Sequence, residues 1–307
     1  MKIPKVSVII PVYNASRYIR PTIEGVLNQA FQDFEIIVSD DGSMDNTKEI
    51  IEEYRRKSQD KIKYFYQTNQ GHAKARNSGI RHAAGEFIAF LDADDVWRKD
   101  KLVREVDLLE KNPALGLVHS ARVRINGNGE ILPTFQINPE LLTGQIYENL
   151  LFRKAHICTS SVLCRKSCLD TVGYFDEHFP DNIGGEDREL WLRLTKQYQA
   201  GFISEPLVQY RFLNHSLSRS RRAEAITRGR YYVIDKTLSS EKNPFKKICL
   251  KKMAYSAIHN ELAANALEEN NLLEAQIEFW RAFCQFPIDV KVLMKWGRTL
   301  LVNLNHK

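Results

Sequence analysis

The stretch Val6-Ser7-Val8-Ile9-Ile10-Pro11-Val12-Tyr13-Asn14 is a β-branched run that stops at a proline and a polar pair. Three further runs of the same kind follow, Phe34–Val38, Ile62–Phe65 and Phe87–Leu91. Between the first two, Ile19, Ile23, Val26, Leu27 and Ala30 recur at the spacing of one helical face. Ile50–Tyr54, and then Ala75, Gly79, Ile80 and Ala83, carry similar stripes. Strand and helix in alternation predict an α/β fold, a mostly parallel sheet with helices on both faces. In such a sheet ligands bind in the crevice beyond the carboxyl ends of the strands.

Downstream, the pattern predicts a helix from about Lys99 to Lys111, stopped by Asn112-Pro113, then a strand around Leu115–Arg124 and a turn at Asn126-Gly127-Asn128-Gly129. A strand (Ile157–Cys164), a helix (Glu186–Tyr198) and a strand (Phe202–Tyr210) come next, in a half that reads as more antiparallel. From Ala223 onward the pattern is wholly helical. A boundary therefore falls in Ser216–Arg222, giving units of 1–218 (halves 1–111 and 112–218) and 219–307.

Composition bounds the possibilities. The chain has 307 residues, 43% hydrophobic, 27% charged and 10% aromatic, which is globular rather than disordered. No apolar run approaches the ~18 residues of a membrane-spanning helix, and Val6–Ile10 is too short for a signal-peptide core, so a cytoplasmic protein is expected. The five cysteines (158, 164, 168, 249, 284) form no Cys-x-x-Cys pair, which argues against a structural zinc or a disulfide framework. Net charge is +6, but residues 1–210 carry 27 Lys/Arg against 29 Asp/Glu and residues 211–307 carry 17 against 9, so the basic surplus belongs to the tail. No nucleic-acid partner is expected.

The predicted strand ends carry the chemistry. The first ends in Pro11-Val12-Tyr13-Asn14, the second in Ser39-Asp40-Asp41-Gly42-Ser43, the fourth in Asp92-Ala93-Asp94-Asp95. One Asp-Gly at a strand end is no more than a turn. Three such ends on parallel neighbours crowd five carboxylates on one rim, where like charges repel unless something positive sits among them. Asp92 and Asp94, two apart on an extended segment, point the same way and can reach one oxygen-preferring ion such as Mg²⁺ or Mn²⁺, which leaves positions for phosphate oxygens. A diphosphate ligand follows. Lys74, Arg76 and Asn77 open the helix before the fourth strand, where they either contact that diphosphate or form a solvated first turn.

Other chemistries fit less well. His72, His82, His119, His156 and His178 include no pair at i and i+4, and only His72, in the loop before Arg76, lies near the acidic motifs. Ser160 and Ser161 lack a Gly-x-Ser-x-Gly context, which excludes that kind of acyl-transfer hydrolase. A phosphatase-like hydrolase carries its Asp-x-Asp after the first strand, where this chain has Pro-Val-Tyr-Asn. A nucleotidyltransferase wants a glycine-rich basic signature where this chain has Ala15-Ser16-Arg17.

As an ordered set, VSVIIPVYN (6–14), FEIIVSDDGSMDNT (34–47), NQGHAKARNSGI (69–80) and GEFIAFLDADDVW (85–97) closely resemble the inverting family 2 glycosyltransferases of the GT-A fold. Gly185-Glu186-Asp187-Arg188-Glu189-Leu190-Trp191 resembles that family's acceptor-side helix, and the likeness covers roughly residues 4 to 215. It implies a Rossmann-like mixed sheet flanked by helices, with residues 1–111 as the nucleotide-binding half, 112–218 as the acceptor half and an all-helical extension after them. By the resemblance, Pro11 and Tyr13 line the base pocket, and Asp41, with Asp40 beside it, accepts from the uracil imide. Lys74, Arg76, Asn77 and Ala93 complete the nucleotide side, and Asp92 and Asp94 match the Asp-x-Asp metal element. Asp187 matches the general base, with Glu186 and Trp191 on the acceptor side; Asp187 alone reads equally as a carboxylate favoured by a helix N-terminus. Tyr210-Arg211-x-x-Asn214-His215 resembles the family's Tyr-Arg-x-His ending with two residues inserted, which implies His215 as a third metal contact.

The implied activity is inverting transfer of a sugar from a nucleotide-diphosphate donor, UDP in the first instance, to a glycan or lipid-linked acceptor hydroxyl, with Mn²⁺ or Mg²⁺, in cell-surface polysaccharide or glycoconjugate synthesis. The competing expectation is a catalytically silent sugar-nucleotide-binding or scaffold protein. In the tail, Arg211 to Lys252 hold 12 basic and 3 acidic residues, either a solvated face or a contact for an anionic membrane surface. Val290, Leu293, Met294, Gly297, Leu300, Leu301 and Leu304 share one helical face that either lies on a membrane or finishes the core.

Overall fold

The first ninety residues build the expected alternation: β1 (Val6–Val12), α1 (Ile19–Leu27), β2 (Phe34–Asp40), α2 (Thr47–Lys57), β3 (Ile62–Tyr66), α3 (His72–His82) and β4 (Phe87–Phe90). The structure is a computed structural model that describes residues 3–58, 60–133, 138–180, 184–213 and 223–287. Every residue of β1 and β2 is buried, because helices cover both faces of a parallel sheet. Ile19, Ile23 and Val26 of α1 pack in one core with Val8, Ile10, Ile36, Val38 and Ala89. On the other side α3 comes so close that a Cβ on Gly79 would lie 2.4 Å from Ile9 Cγ2, a contact only glycine permits.

After a short β5 (Val96–Trp97) and α4 (Lys101–Lys111) come β6 (Leu115–Ile125), β7 (Ile131–Leu132), α5 (Tyr147–Leu151), β8 (Leu163–Arg165), α6 (Lys166–Val172), α7 (Glu186–Gln197) and β9 (Gln199–Arg211). The described strands form one mixed sheet in the order β3-β2-β1-β4-β8-β6-β9-β5, with β7 on β6. β1 lies between β2 and β4 and is parallel to both. β8 is antiparallel to β4 and to β6, whereas β9 runs parallel to β6 through three shifts of register. The second half is mostly antiparallel, as the sequence predicts, through β4–β8, β6–β8, β6–β7 and β5–β9. The parallel β6–β9 pair is the exception, and it arises because the long crossover containing α7 returns the chain to the same end of the sheet.

The expected strand Ile157–Cys164 is also different. Thr159–Ser161 folds into a 3₁₀ turn, and the strand starts only at Leu163. Ser161 Oγ donates to the Cys158 carbonyl at 2.7 Å, a local bond that competes with the sheet ladder.

Two units make up the chain: Met1–Tyr147, Ile157–Asp181 and Glu186–Ser220 in one, and Glu148–His156, Asn182–Gly185 and Arg221–Lys307 in the other. The second holds α8 (Ala223–Thr237), α9 (Pro244–Glu268) and α10 (Leu272–Gln285). Asn243 and Asn271 cap α9 and α10, their side chains accepting from Lys246 N and Glu274 N. Buried Ala254, Ala263, Ala266, Ala275 and Ala282 are small enough for close helix packing. Inside this unit His259 pairs with Glu278 at 2.5 Å, and Arg153 with Glu261. No described helix is long and apolar enough to cross a membrane. The apolar face from Val290 to Leu304, and the boundary segment Ser216–Arg222, lie outside the described residues.

His119 of β6 gives the fold a pH signature. Buried beside Phe202 and bonded through Nε2 to the Leu142 carbonyl at 3.1 Å, it is pushed down to about 4 by burial. Its folded value lies below the unfolded value of about 6.5, so protonation favours unfolding, and stability present at neutral pH is lost as pH falls. Between pH 7 and 5 this residue alone should remove about 2 kcal/mol from the unfolding free energy. Urea titrations of the parent and His119→Gln at both pH values measure it, and an equal drop in both proteins refutes the assignment.

Candidate active site

Because β2, β1 and β4 are adjacent and parallel, their carboxyl ends share one rim. Asp41 N–H donates to the Val12 carbonyl at 2.8 Å, which ties the end of β2 to the end of β1. Past that point the loops are latched in both directions: Asn14 N–H donates to Ser43 Oγ and Met44 N–H to Asn14 Oδ1. Gly42, at φ +86°, makes the turn that brings Asn69 against it. Pro11 is buried in β1, while Tyr13 stands 44% exposed above the rim.

The two aspartates of the second strand end differ. Asp40 is fully buried, with Oδ1 accepting from Ser43 N and Oδ2 from Tyr64 Oη at 2.7 Å. It braces the loop through these two bonds, beneath the rim on which Asp41 lies. Asp41 accepts from Gln67 Nε2 and Gln70 N on Oδ1 and from Gly71 N on Oδ2, each at 2.8 Å. A carboxylate takes about four donors, so Oδ2 retains room for one more. Neither glutamine stands in an acidic motif.

The turn after β4 gathers three carboxylates. Ala93 lies in its middle, its carbonyl and that of Asp95 both accepting from Thr22 Oγ1 at 2.9 and 2.8 Å. Burial, and then Asp92, push the Asp94 carboxyl up to about 6. Burial, then Asp94 and Asp92, raise Asp95 well above its usual range, the Ser160 hydroxyl and Arg211 N–H drawing it back; its Oδ1 accepts from Arg211 N at 2.8 Å. Arg211 closes over this turn from the end of β9, Nε to the Asp94 carbonyl and Nη1 to the carbonyls of Asn126 and Gly127. A group of acids this short of positive charge suits a hard cation. Among the described residues no three His, Cys, Asp or Glu side chains are placed to hold one ion. A hard cation such as Mg²⁺ is commonly held by one or two carboxylates and a ligand's own oxygens, which Asp92 and Asp94 suit chemically. His215 lies outside the described residues.

Arg76, 7% exposed on α3, joins this rim to α7. Nη2 pairs with Asp92 Oδ1 at 2.8 Å and Nη1 with Glu186 Oε1 at 3.4 Å, and the guanidinium lies over Phe175. Burial by itself would lower its proton affinity; Asp92 and Glu186 more than offset that. His72, one turn earlier, is pushed down by burial and then by Arg76, and stays neutral. Lys74 is half-buried, its charge acting on Glu177.

Asp187 follows Glu186 on the first turn of α7. Its Oδ1 accepts from Arg188 N at 2.7 Å and its Oδ2 from Thr159 Oγ1 at 3.2 Å. Burial and then Glu186 raise its proton affinity, and Arg76 draws it back. A carboxyl held above its usual range by burial and a like-charged neighbour is the kind of group that clusters at functional sites.

Two expected contacts are not brought to the rim. Asn77 is buried and turned away: Nδ2 donates to the Phe175 carbonyl and to Glu177 Oε1, while Oδ1 accepts from Phe175 N. Trp191 is 1% exposed, one turn below Asp187, and packs against Phe90 and Phe175 at 5.8 and 6.2 Å. It packs beneath the first turn of α7. Sequence reasoning missed Thr159 and Ser160, whose segment reads as a strand, and gave no role to Arg211, although the Tyr210-Arg211 ending contains it.

The family model described as glycosyl transferase family 2 matches residues 7–173. A Rickettsia bellii protein named only as an uncharacterized glycosyltransferase is 35% identical over 209 residues, 67% of this chain and 29% of that one. The chain spans about 29 to 53% of the length of the first curated relatives it matches. TuaG of Bacillus subtilis, provisionally named a teichuronic acid biosynthesis glycosyltransferase, is 32% identical over 220 residues, 71% of this chain and 83% of TuaG. Among solved structures, S. aureus TarS 1-349 in complex with UDP-GlcNAc shares 21% identity at a TM-score of 0.66, over 91% of this chain and 81% of that one. The mannosyltransferase PcManGT from Pyrobaculum calidifontis, in complex with GDP-Man and Mn²⁺, shares 20% at 0.55, over 100% and 89%. Both likenesses show the fold, and with the family match over more than half its length this chain belongs to glycosyl transferase family 2.

Proposed function

We propose that the chain is an inverting glycosyltransferase that moves a sugar from a UDP-linked donor to an acceptor hydroxyl with the help of a divalent cation, in the synthesis of a cell-surface glycan or lipid-linked precursor. The observation that carries this is the single arginine bridging two carboxylate groups: Arg76 pairs with Asp92 on the donor-side rim and with Glu186 beside Asp187. TarS, seen with UDP-GlcNAc, and TuaG, by its name, support a UDP-sugar and a polymer acceptor.

Asp92 and Asp94 would hold Mg²⁺ or Mn²⁺, for which the Mn²⁺ in the PcManGT complex is a precedent. A bound cation supplies Lewis-acid stabilisation of the negative charge that grows on a departing diphosphate. The chain's own residues do the rest. Tyr13 and Pro11 flank the base, and Asp41 Oδ2 accepts from its imide nitrogen. Arg76 faces the donor phosphates while it holds Glu186. Asp187 takes the acceptor hydroxyl's proton as the new bond to the anomeric carbon forms; with the base opposite the leaving group, a single displacement inverts that carbon.

Asp187→Asn should bind UDP as the parent does and turn over about 100-fold slower, which a donor-transfer or donor-hydrolysis assay reads; parent-like turnover refutes the base. Asp94→Ala should weaken Mn²⁺-dependent UDP binding about tenfold or more, because metal sites lose 10- to 100-fold even when an outer partner is removed. Calorimetry with and without Mn²⁺ decides, and equal affinities in parent and variant remove the cation assignment. Asn77→Ala, by contrast, should cost about 2 kcal/mol of stability through its lost buried hydrogen bonds and leave UDP affinity unchanged. A loss of affinity in a stably folded Asn77→Ala protein would return Asn77 to the nucleotide site.

A further inference from the structure

Three consecutive hydroxyl residues, Thr159, Ser160 and Ser161, are buried in the 3₁₀ turn before β8, at 5%, 0% and 0% exposure. Each hydroxyl is engaged. Ser161 Oγ closes the turn on the Cys158 carbonyl. Ser160 Oγ accepts from Asp92 N at 3.1 Å, and the Ser160 carbonyl accepts from Trp97 Nε1 at 2.7 Å. Thr159 Oγ1 donates its one proton to Asp187 Oδ2 at 3.2 Å. Adjacent residues of one rigid turn therefore touch the backbone of Asp92 and the carboxylate of Asp187.

We propose that Thr159 is the positioning partner of Asp187: its hydroxyl fixes the orientation of the carboxylate, favours its ionised form, and, through the shared turn, sets its place relative to Asp92. The inference rests on Asp187 as the base of the proposed reaction. A threonine suits the task because its branched Cβ leaves few χ1 states, so the proton it donates has a defined direction. With Oδ1 committed to Arg188 N and one side of Oδ2 to Thr159, what remains of Oδ2 faces an incoming hydroxyl.

The charges acting on Asp187 are Glu186, which disfavours its ionised form, and Arg76 and Arg188, which favour it; the Arg188 N–H adds a donor to the ionised form. Thr159 is a neutral donor among them. Removing it leaves every charge in place, so the sign of the effect is fixed: a hydrogen bond given to the carboxylate is lost, and the acid becomes weaker. Valine keeps the branched shape and lacks the proton, whereas serine keeps the proton and lacks the methyl group.

The test uses the full chain with aspartate labelled by ¹³C at the side-chain carboxyl, the Asp187 resonance being the one that vanishes in Asp187→Asn. Thr159→Val should raise the Asp187 titration midpoint by about 0.5 to 1 pH unit, the scale of one ordinary hydrogen bond. Thr159→Ser should return it to the parent value, and UDP–Mn²⁺ affinity should stay the same in both variants. With UDP-GlcNAc as probe, the acid limb of donor hydrolysis should move by the same amount in Thr159→Val. An unchanged midpoint in Thr159→Val, or a serine variant that behaves like the valine variant, overturns the proposal, and the serine variant keeps the test decisive if valine disturbs folding. The expected midpoint shift in a chain that binds neither UDP nor UDP-GlcNAc upholds the Thr159–Asp187 pairing and overturns the glycosyltransferase reading instead.

Discussion

Negative charge gathered at one edge of a parallel sheet, with too little positive charge to neutralise it, is the constraint around which the first unit is arranged. Asp92, Asp94 and Asp95 lie within one turn, and two arginines answer them: Arg76 by a direct pair with Asp92, Arg211 chiefly through carbonyls and its own N–H. Two unit charges ~4 Å apart near a protein surface interact by about 4 kcal/mol, so carboxylates left so close must protonate, separate or attract a cation. Burial first, and then that crowding, raises the proton affinity of Asp94 and Asp95. What keeps them together is the rigidity beneath: β1, β2 and β4 are packed on both faces, and Thr22 of α1 holds the carbonyls on the inner side of the turn.

The charge arrangement also connects the two halves of the proposed reaction. Arg76 places its Nη atoms on both groups of acids, and among the described residues its buried Nε has no partner. An arginine shared in this way holds Glu186, and with it the first turn of α7, at a fixed distance from the rim. Asp187 rides on that turn. Its raised proton affinity is a consequence of being placed beside Glu186 in a buried setting, and Arg76 limits how far it rises.

Much of this was legible in the sequence, and the failures have a common cause. Periodicity finds β1 to β4 and α1 to α4 because each is dictated by residues a few places apart. It also places Asp41, Asp92, Asp94 and Asp187 on strand and helix ends, which is where they lie. It says nothing of rotation about an element. Asn77 directly follows Arg76, yet the 100° step between neighbours on a helix sends one to Asp92 and the other to Phe175. Trp191 follows Asp187 by four residues and shares its face, but it is one turn deeper and serves the core. The parallel β6 and β9 pair depends on partners more than twenty residues away, and apolar runs such as Ile157–Cys164 do not distinguish a strand from a turn stabilised by its own hydroxyls.

Behind that turn lies a buried pair that reaches it through Trp97. Lys101 Nζ and Glu105 Oε2 are 2.5 Å apart at zero exposure, Glu105 being pushed up to about 7 by burial and Lys101 down. Taking two charges fully out of water commonly costs more than their attraction returns, so an apolar pair of the same size would serve the core equally well or better. The ammonium, however, also lies 4.2 Å from the centre of the Trp97 ring, and the indole N–H of Trp97 is the donor that holds the Ser160 carbonyl. Leucine at 101 would fill the space but would lose the attraction that seats the ring. From Lys101 through Trp97 and Ser160 to Asp92, each contact is directional. A directional chain is what hydrophobic packing, which tolerates sliding and rotation, does not supply.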